Sequence, residues 1–150
     1  MKQWIRKSSF VALSATLVFI LVAAACGGSA SDSNTLDIER PAPPAEYAGK
    51  TSPLVDAGAA VGAGKQLYTA NCVSCHGEQA MGDGPASNSL NPKPKPLAIE
   101  MKSLKDDYLF WRISEGGAFS PFASAMPAWK GILSQDEIWQ VIAFLRTLDK

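Results

Sequence analysis

The sequence has one histidine, three cysteines, no excess of basic residues and no stretch where apolar and polar residues alternate. Alternation with a period of two is typical of a half-buried β-strand, so its absence predicts an all-α chain. The 14 basic side chains are matched by 14 acidic ones, and no basic patch indicates a nucleic-acid partner. The only histidine is His76, which excludes any site that needs two imidazoles from this chain.

That histidine closes the segment Cys72-Val73-Ser74-Cys75-His76. It has the form C-x-x-C-H, the attachment motif of a c-type haem. Two thiols at this spacing can add to the two vinyl groups of one porphyrin, and the adjacent imidazole can then reach the iron. A redox dithiol and half of a zinc site are the alternatives. No βαβ pattern accompanies the cysteines, and a structural zinc site needs four ligands. We therefore predict one covalently attached haem c, with His76 as an iron ligand.

The second axial ligand has to be a methionine, water or an unusual group, because no other histidine exists. Met81 follows His76 by only five residues and is too close to reach the opposite haem face without strain. Met126 lies between two predicted helices, where Pro127 stiffens the backbone beside it. Met126 is therefore the predicted ligand, with Met101 or an open site as the alternatives. Ligation by His and Met fills both axial positions, which is typical of electron transfer rather than catalysis.

The first 25 residues are predicted to be a lipoprotein-type signal peptide. Three cations precede residue 8, residues 10–25 carry no charge, and small residues come directly before Cys26. In this interpretation, Cys26 becomes the N-terminus and its thiol carries a lipid. A retained transmembrane helix and ordinary secretion are the alternatives, although the apolar run falls short of the roughly 20 residues that span a bilayer.

Residues 26–55 are predicted to be a flexible tether, and residues 56–150 the folded domain. The tether is rich in Gly, Ser and Pro and poor in large apolar residues, so it buries too little surface to offset its ordering entropy. The alternative is a segment that folds only against a partner subunit, with Leu36, Ile38 and Tyr47 as its anchors.

Three helices are predicted within the domain. The first spans residues 56–71 with Asp56 as its N-cap, and Gly64 within it costs about 1 kcal/mol of helix propensity. That cost indicates the close approach of another helix. The second helix starts near residue 103 or 105 and ends at Gly116. The last begins at the capping box Ser134-Gln-Asp-Glu137, and we expect it to cross the first helix, with an aromatic side chain at Gly64.

The segment Asn91-Pro-Lys-Pro-Lys-Pro-Leu97 predicts an extended, stiff loop, because alternate prolines favour extended backbone. Its carbonyl groups are free to accept hydrogen bonds. We predict that the Pro94 carbonyl accepts the Nδ1–H of His76, a bond that would orient a metal-bound imidazole. A solvated loop without this contact is the alternative.

Together these features resemble a class I monohaem cytochrome c over roughly residues 64–148. The matching segments are Gly64-x-x-x-Tyr68-x-x-x-Cys72-x-x-Cys75-His76-Gly77, Gly82-Asp-Gly-Pro85, Met126-Pro127 and Trp139-Gln-Val-Ile-Ala-Phe144-Leu-Arg. The resemblance implies that the cysteine pair holds the haem, that His76 and Met126 bind the iron, and that the first and last helices cross around it. The proline-rich segment before Leu97 is longer than in that family.

The resemblance extends to membrane-tethered members of bacterial respiratory and photosynthetic chains, such as the monohaem lipoprotein subunit of alternative complex III. It implies a single-electron carrier or a haem subunit, not an enzyme in its own right. The implied partners are a quinol-oxidising complex, an oxidase or a reaction centre. The lipid at Cys26 would anchor the chain in the cell membrane with the haem domain on the outer side, where this family acquires its haem. The alternative is an open-site haem enzyme or gas sensor.

Overall fold

The computed structural model describes residues 40–54 and 57–148, which belong to one compact unit that begins at Arg40. These residues form helices, turns and irregular segments and contain no strand. The α-helices are α1 (Ala57–Asn71), α2 (Val73–His76), α3 (Leu97–Glu100), α4 (Asp106–Glu115) and α5 (Gln135–Arg146), and 3₁₀ turns lie at Ser87–Ser89 and Met101–Ser103. The all-α prediction is confirmed. No helix in this part of the chain is long and apolar enough to cross a membrane.

The three predicted helices are present as α1, α4 and α5, and α4 ends at Glu115, directly before Gly116, whose φ is +70°. Several other predictions concern residues outside the described part of the chain. They are the signal peptide, the lipid at Cys26, the anchors Leu36 and Ile38, and the N-cap Asp56.

The first and last helices cross at Gly64. A Cβ built there would lie 1.8 Å from the Gln140 carbonyl oxygen, so only glycine allows the two backbones to approach this closely. Beside the crossing, the Tyr68 and Phe144 rings are in contact, with centroids 5.3 Å apart. The predicted crossing is therefore present. Its closest approach is made by the backbone of α5, and the Phe144 side chain lies next to it.

Helix α4 packs beside α5 and completes the core. Phe110 stacks on Trp139, with ring centroids 4.5 Å apart. Other buried side chains of the two helices surround this pair: Leu109, Ile113, Ile138, Val141, Ile142 and Leu145. Near the end of α5, Arg146 Nε donates to the Asp106 carboxylate at 3.0 Å, and the Nη1 and Nη2 atoms of Arg146 donate to two backbone carbonyls that precede α4. These bonds attach the C-terminal end of α5 to the start of α4.

Helix α5 begins at the predicted capping box, which is confirmed. The Ser134 N–H donates to the Glu137 carboxylate at 2.7 Å, and the Glu137 N–H donates to the Ser134 hydroxyl at 3.2 Å. Each residue thus satisfies a backbone donor that the first turn of a helix leaves without a partner.

Replacing Ser134 with alanine is expected to lower the free energy of unfolding by about 1 kcal/mol, because one N–H of the first turn loses its acceptor. Urea denaturation followed by circular dichroism measures this change. Ser89→Ala, at an exposed position in a 3₁₀ turn, is the control and should shift stability by less than about 0.5 kcal/mol. Equal effects of the two substitutions would contradict the role of the cap.

Residues 40–54, here called the strap, lie along α4. Within the strap, the N–H groups of Tyr47 and Ala48 donate to the Pro44 carbonyl at 2.8 and 3.0 Å and form a tight turn. The Tyr47 ring lies 6.2 Å from that of Phe110. The Gly49 N–H donates to the Asp107 carboxylate at 2.9 Å. The turn and the side chains of α4 therefore hold the strap in one place.

The start of the strap is held as well, by an ion pair of 3.0 Å between Arg40 and Glu100. The folded unit therefore begins at Arg40 rather than at residue 56, and the prediction that the flexible tether extends to residue 55 is wrong for its last part. Tyr47 and Leu54 pack against the hydrophobic core of this same chain. Tyr47 is thus an anchor, as one alternative held, and it packs against α4 of this same chain.

Candidate functional site

The short helix α2 brings Cys72, Cys75 and His76 together. Helix α1 ends at Asn71 and the chain enters the next helical turn almost at once. The Cys75 and His76 N–H groups both donate to the Cys72 carbonyl, at 3.2 and 2.9 Å. Residues three apart on a helical turn are neighbours on one side, so the two cysteines share a side and the imidazole follows directly.

Residues 77–86 fold back over α2. Three of their N–H groups donate to carbonyl oxygens of the motif: Gly82 to His76 at 2.8 Å, Gly84 to Cys75 at 3.2 Å and Ala86 to Ser74 at 2.9 Å. A helix of one turn leaves its carbonyls without partners inside the helix, and this segment supplies those partners. The motif is therefore held by its own downstream chain.

The close fold-back depends on glycine. A Cβ on Gly84 would collide with the Val73 and Ser74 carbonyl oxygens, and Gly77 has a φ of +78°. The buried hydroxyl of Tyr68 donates to the Gly77 carbonyl at 2.7 Å. No sequence-based prediction covered these roles of the glycines. The spacing of glycines around Asp83 was the signal that could have revealed them.

Burial sets the protonation of the motif. Cys72 and Cys75 are free thiols, and each is partly buried. Burial, with a smaller contribution from Cys75, raises the pKa of Cys72 to about 11, so this thiol is protonated at neutral pH. Burial also lowers the pKa of His76 below its usual 6.5. The imidazole is therefore neutral at pH 7 and keeps a lone pair for a metal ion.

The predicted bond between His76 and Pro94 is absent. His76 Nδ1 is buried and has no hydrogen-bond partner within the described residues. The Pro94 carbonyl oxygen instead faces Gly82, where a Cβ would overlap it. The prediction for Pro94 is thus wrong in this structure, because the fold-back at Gly82 occupies the space next to that carbonyl. A buried nitrogen without a partner costs about 1–3 kcal/mol, which marks His76 as the unsatisfied group of the motif.

Met126 lies in a segment that the end of α4 holds by its backbone. The Gly117 N–H donates to the Met126 carbonyl at 2.9 Å. The Trp129 N–H is shared between two carbonyls in the last turn of α4, each 3.1 Å away. A Cβ on Gly116 would collide with the Met126 carbonyl oxygen. The backbone of the Met126 segment is therefore positioned at both ends.

The motif at residues 72–76 and the Met126 segment both pack against one hydrophobic core. Its partly buried neighbours include Cys72, Val73, Met81, Met126 and Trp129. Met101, the alternative ligand, is only 1% exposed and belongs to the core itself, a position typical of a methionine that fills space. Within residues 40–54 and 57–148, no three His, Cys, Asp or Glu side chains form a cluster suited to a metal ion.

The residues present fit a haem. Two free thiols lie one turn apart, and the imidazole beside them is neutral and has a buried nitrogen without a partner. A thioether lies on the same core. Thiols for attachment, an imidazole and a thioether are the donors that such a group requires.

Residues 59–145 match the family described as cytochrome C oxidase, cbb3-type, subunit III. The match covers most of α1, all of α2 and α4 and all but the last residue of α5, with all the segments between them. It therefore includes the motif, the fold-back and the Met126 segment.

Two curated proteins are similar in sequence. The cytochrome c subunit of a quinone-dependent alcohol dehydrogenase from Gluconobacter oxydans is 32% identical over 102 residues, which is 65% of this chain and 20% of that protein. A cbb3-type cytochrome c oxidase subunit from Rhizobium leguminosarum is 29% identical over 86 residues, which is 57% of this chain and 27% of that protein. The chain thus matches about a fifth to a quarter of the length of these relatives.

Among solved structures, the reducing HAO-like protein complex of Kuenenia stuttgartiensis contains a similar chain. The TM-score is 0.50 at 23% identity, and the match covers 71% of this chain and 54% of that one. At this identity, the likeness concerns the fold alone.

Proposed function

The chain belongs to the family of the cbb3-type cytochrome c oxidase subunit III domain, a cytochrome c domain, and from this premise we propose that it is a membrane-tethered, monohaem carrier of single electrons. One observation carries the proposal: two free thiols lie one helical turn apart beside a neutral imidazole with an unsatisfied, buried nitrogen. Haem c, when bound, supplies an iron centre that gains and loses one electron.

The proposed roles follow from the site. Cys72 and Cys75 would hold the haem through their sulfur atoms, and His76 and Met126 would bind its iron. Helix α2 sets the spacing of the thiols, and the fold-back keeps that turn rigid. The end of α4 positions the Met126 backbone. With both iron ligands supplied by side chains, a bound haem would have no open position for a substrate and would serve to pass single electrons.

The membrane part of the proposal is supported by the N-terminal sequence. The charged start, the apolar run and the small residues before Cys26 favour export and lipidation. The haem domain then lies on the outer side of the cell membrane, within reach of a quinol-oxidising complex, an oxidase or a reaction centre.

Optical spectra of protein made in a host that attaches haem test the axial ligands. We expect low-spin spectra with the weak near-infrared band of a thioether–iron bond, and Met126→Ala should abolish that band. Met101→Leu, a change of similar size in the core, should keep it. A high-spin spectrum that responds to carbon monoxide in the unsubstituted protein would overturn the proposal and favour an open-site enzyme or gas sensor.

A fixed haem subunit is the second candidate, because both curated relatives are named as subunits of larger oxidoreductases. Such a subunit would gain and lose single electrons in the same way, but while bound within a larger complex. Extraction of the native membrane with mild detergent distinguishes the two. A carrier should be purified alone, whereas a subunit should retain the same partners through two successive columns.

A further inference from the structure

Three distant parts of the chain meet at the carboxylate of Glu115, the last residue of α4. The Tyr47 hydroxyl, from the strap, donates to Glu115 Oε1. The Lys130 ammonium donates to Oε1 and Oε2 at 2.8 and 2.7 Å. Lys130 lies four residues after Met126. A continuous chain of hydrogen bonds therefore runs from the strap to the segment that carries the proposed iron ligand.

Backbone hydrogen bonds also connect the region around Glu115 to the Met126 segment. The Lys130 N–H donates to the Ser114 carbonyl at 3.1 Å, beside the shared bond of Trp129. The Gly117 N–H holds the Met126 carbonyl at 2.9 Å. Glu115 thus lies between the two points where α4 holds the Met126 segment. A change in the contacts of the Glu115 carboxylate is therefore expected to affect the position of the Met126 segment.

Solvent exposure determines how much the Lys130–Glu115 ion pair and the Tyr47–Glu115 hydrogen bond each contribute to stability. The Lys130 side chain is 59% exposed and that of Glu115 is 25% exposed, so their ion pair alone adds little stability. The Tyr47 ring is partly buried against the core. Desolvation and the bond to Glu115 raise the pKa of Tyr47 to about 12, so the phenol remains a donor at physiological pH. The Tyr47 hydroxyl is thus the partly buried end of this series of hydrogen bonds.

The strap has further attachments that keep Tyr47 in place. They are the ion pair of Arg40 with Glu100, the bond from the Gly49 N–H to Asp107, and the Lys50 ammonium 5.8 Å above the Phe110 ring. The first two contacts lie toward the start of α4, and Tyr47 reaches its end. The docked strap therefore spans the helix that positions the Met126 segment.

We propose that Tyr47 is a positioning residue for the Met126 segment: by its bond to Glu115, and through Lys130, the docked strap holds the methionine in its ligand position. This inference rests on the proposed role of Met126 as the second axial ligand. It predicts that release of the strap weakens the thioether–iron bond while the helical core remains folded.

The test compares Tyr47→Phe with the unsubstituted protein. Phenylalanine keeps the ring and removes only the hydroxyl. Urea titration is followed by two signals, the near-infrared thioether–iron band and the far-ultraviolet circular dichroism of the helices. We expect the equilibrium constant for loss of the band to rise about tenfold, the effect of one hydrogen bond to a charged group. The midpoint of the circular dichroism signal should move much less.

Tyr108→Phe is the matched control. It removes a phenol from α4 whose ring packs on Trp111 at 5.8 Å, and it leaves the Tyr47–Glu115–Lys130 bonds intact. It should not separate the two signals. Lys130→Met provides the second test: in that background, Tyr47→Phe should have little further effect on the band, because the connection is already broken.

Hydrogen exchange gives a readout that does not depend on haem. The amides of Gly117, Trp129 and Lys130 should exchange about tenfold faster in Tyr47→Phe, while those in the middle of α1 remain unchanged. If neither the band nor these amides respond, or if both signals move together, the proposed coupling is overturned. If the unsubstituted protein lacks the band, the assignment of Met126 fails first, and the inference fails with it.

Discussion

A chain with both Cys72 and Cys75 replaced by serine is expected to carry no covalent haem. Serine has nearly the shape of cysteine, so the turn at α2 and its hydrogen bonds should form as before. Its hydroxyl, however, does not replace the thiol that adds to a porphyrin vinyl group. Haem staining after denaturing electrophoresis should fall from a strong band to background, the largest effect predicted for any change at the site.

Three further variants sharpen this experiment. Each single substitution, Cys72→Ser or Cys75→Ser, leaves one thiol and should give weaker staining at the same mass. Cys26→Ser is the matched control, because it removes the third cysteine of the chain and leaves the motif intact. It should keep full staining and move the protein from the membrane fraction to the soluble fraction. Haem that stays bound to the double variant through denaturation would contradict the proposed attachment.

The second large effect is expected at Gly64. A Cβ there would lie 1.8 Å from the Gln140 carbonyl oxygen and 2.4 Å from its carbon. Both atoms belong to the backbone of α5, so no side chain can rotate away and the helices have to separate. Overpacking in a core commonly costs 1–3 kcal/mol, and a clash between two backbones lies at or beyond the upper end. Gly64→Ala should therefore lower the free energy of unfolding by about 3 kcal/mol or more.

Gly62 offers the control on the same helix. It is exposed, and a Cβ there would meet no atom within 4 Å. Because alanine favours a helix more than glycine does, Gly62→Ala should stabilise the protein by about 0.5–1 kcal/mol. Urea denaturation of both variants, followed by circular dichroism, should thus give shifts of opposite sign. Equal shifts would show that helix propensity alone, and not the crossing, determines the effect at Gly64.

Local patterns predicted the parts of the fold that depend on neighbours in sequence. The capping box at Ser134 needs only four consecutive residues, and its hydrogen bonds are those expected. The close approach of another helix at Gly64 was predicted from the cost of a glycine within a helix, which such an approach explains. The grouping of Cys72, Cys75 and His76 follows from their spacing on one turn. Each of these predictions used only residues close together in the sequence, even though the contact at Gly64 is made with a distant helix.

The errors concern contacts between segments far apart in sequence. The strap has the composition of a tether, but the Tyr47 hydroxyl donates a hydrogen bond to the carboxylate of Glu115, 68 residues later in the sequence. Average composition does not reveal one aromatic side chain with a matching partner. The error at Pro94 has the same origin, because the position of its carbonyl is determined by the turn at Gly82. A proline pattern predicts extended backbone but not the direction in which each carbonyl points.

The crossing at Gly64 also has a consequence for a chain that has been cut. It joins the first and last long helices of the folded unit, so one cut in the exposed loop at residues 91–93 leaves two fragments, each with one crossing helix. The N-terminal fragment keeps Cys72, Cys75 and His76, and the C-terminal fragment keeps Met126. Recombination of the two pieces through the α1–α5 contact would restore the near-infrared band. With haem bound as proposed, the chain would serve as a split reporter in which fragment complementation is read from the colour of the haem.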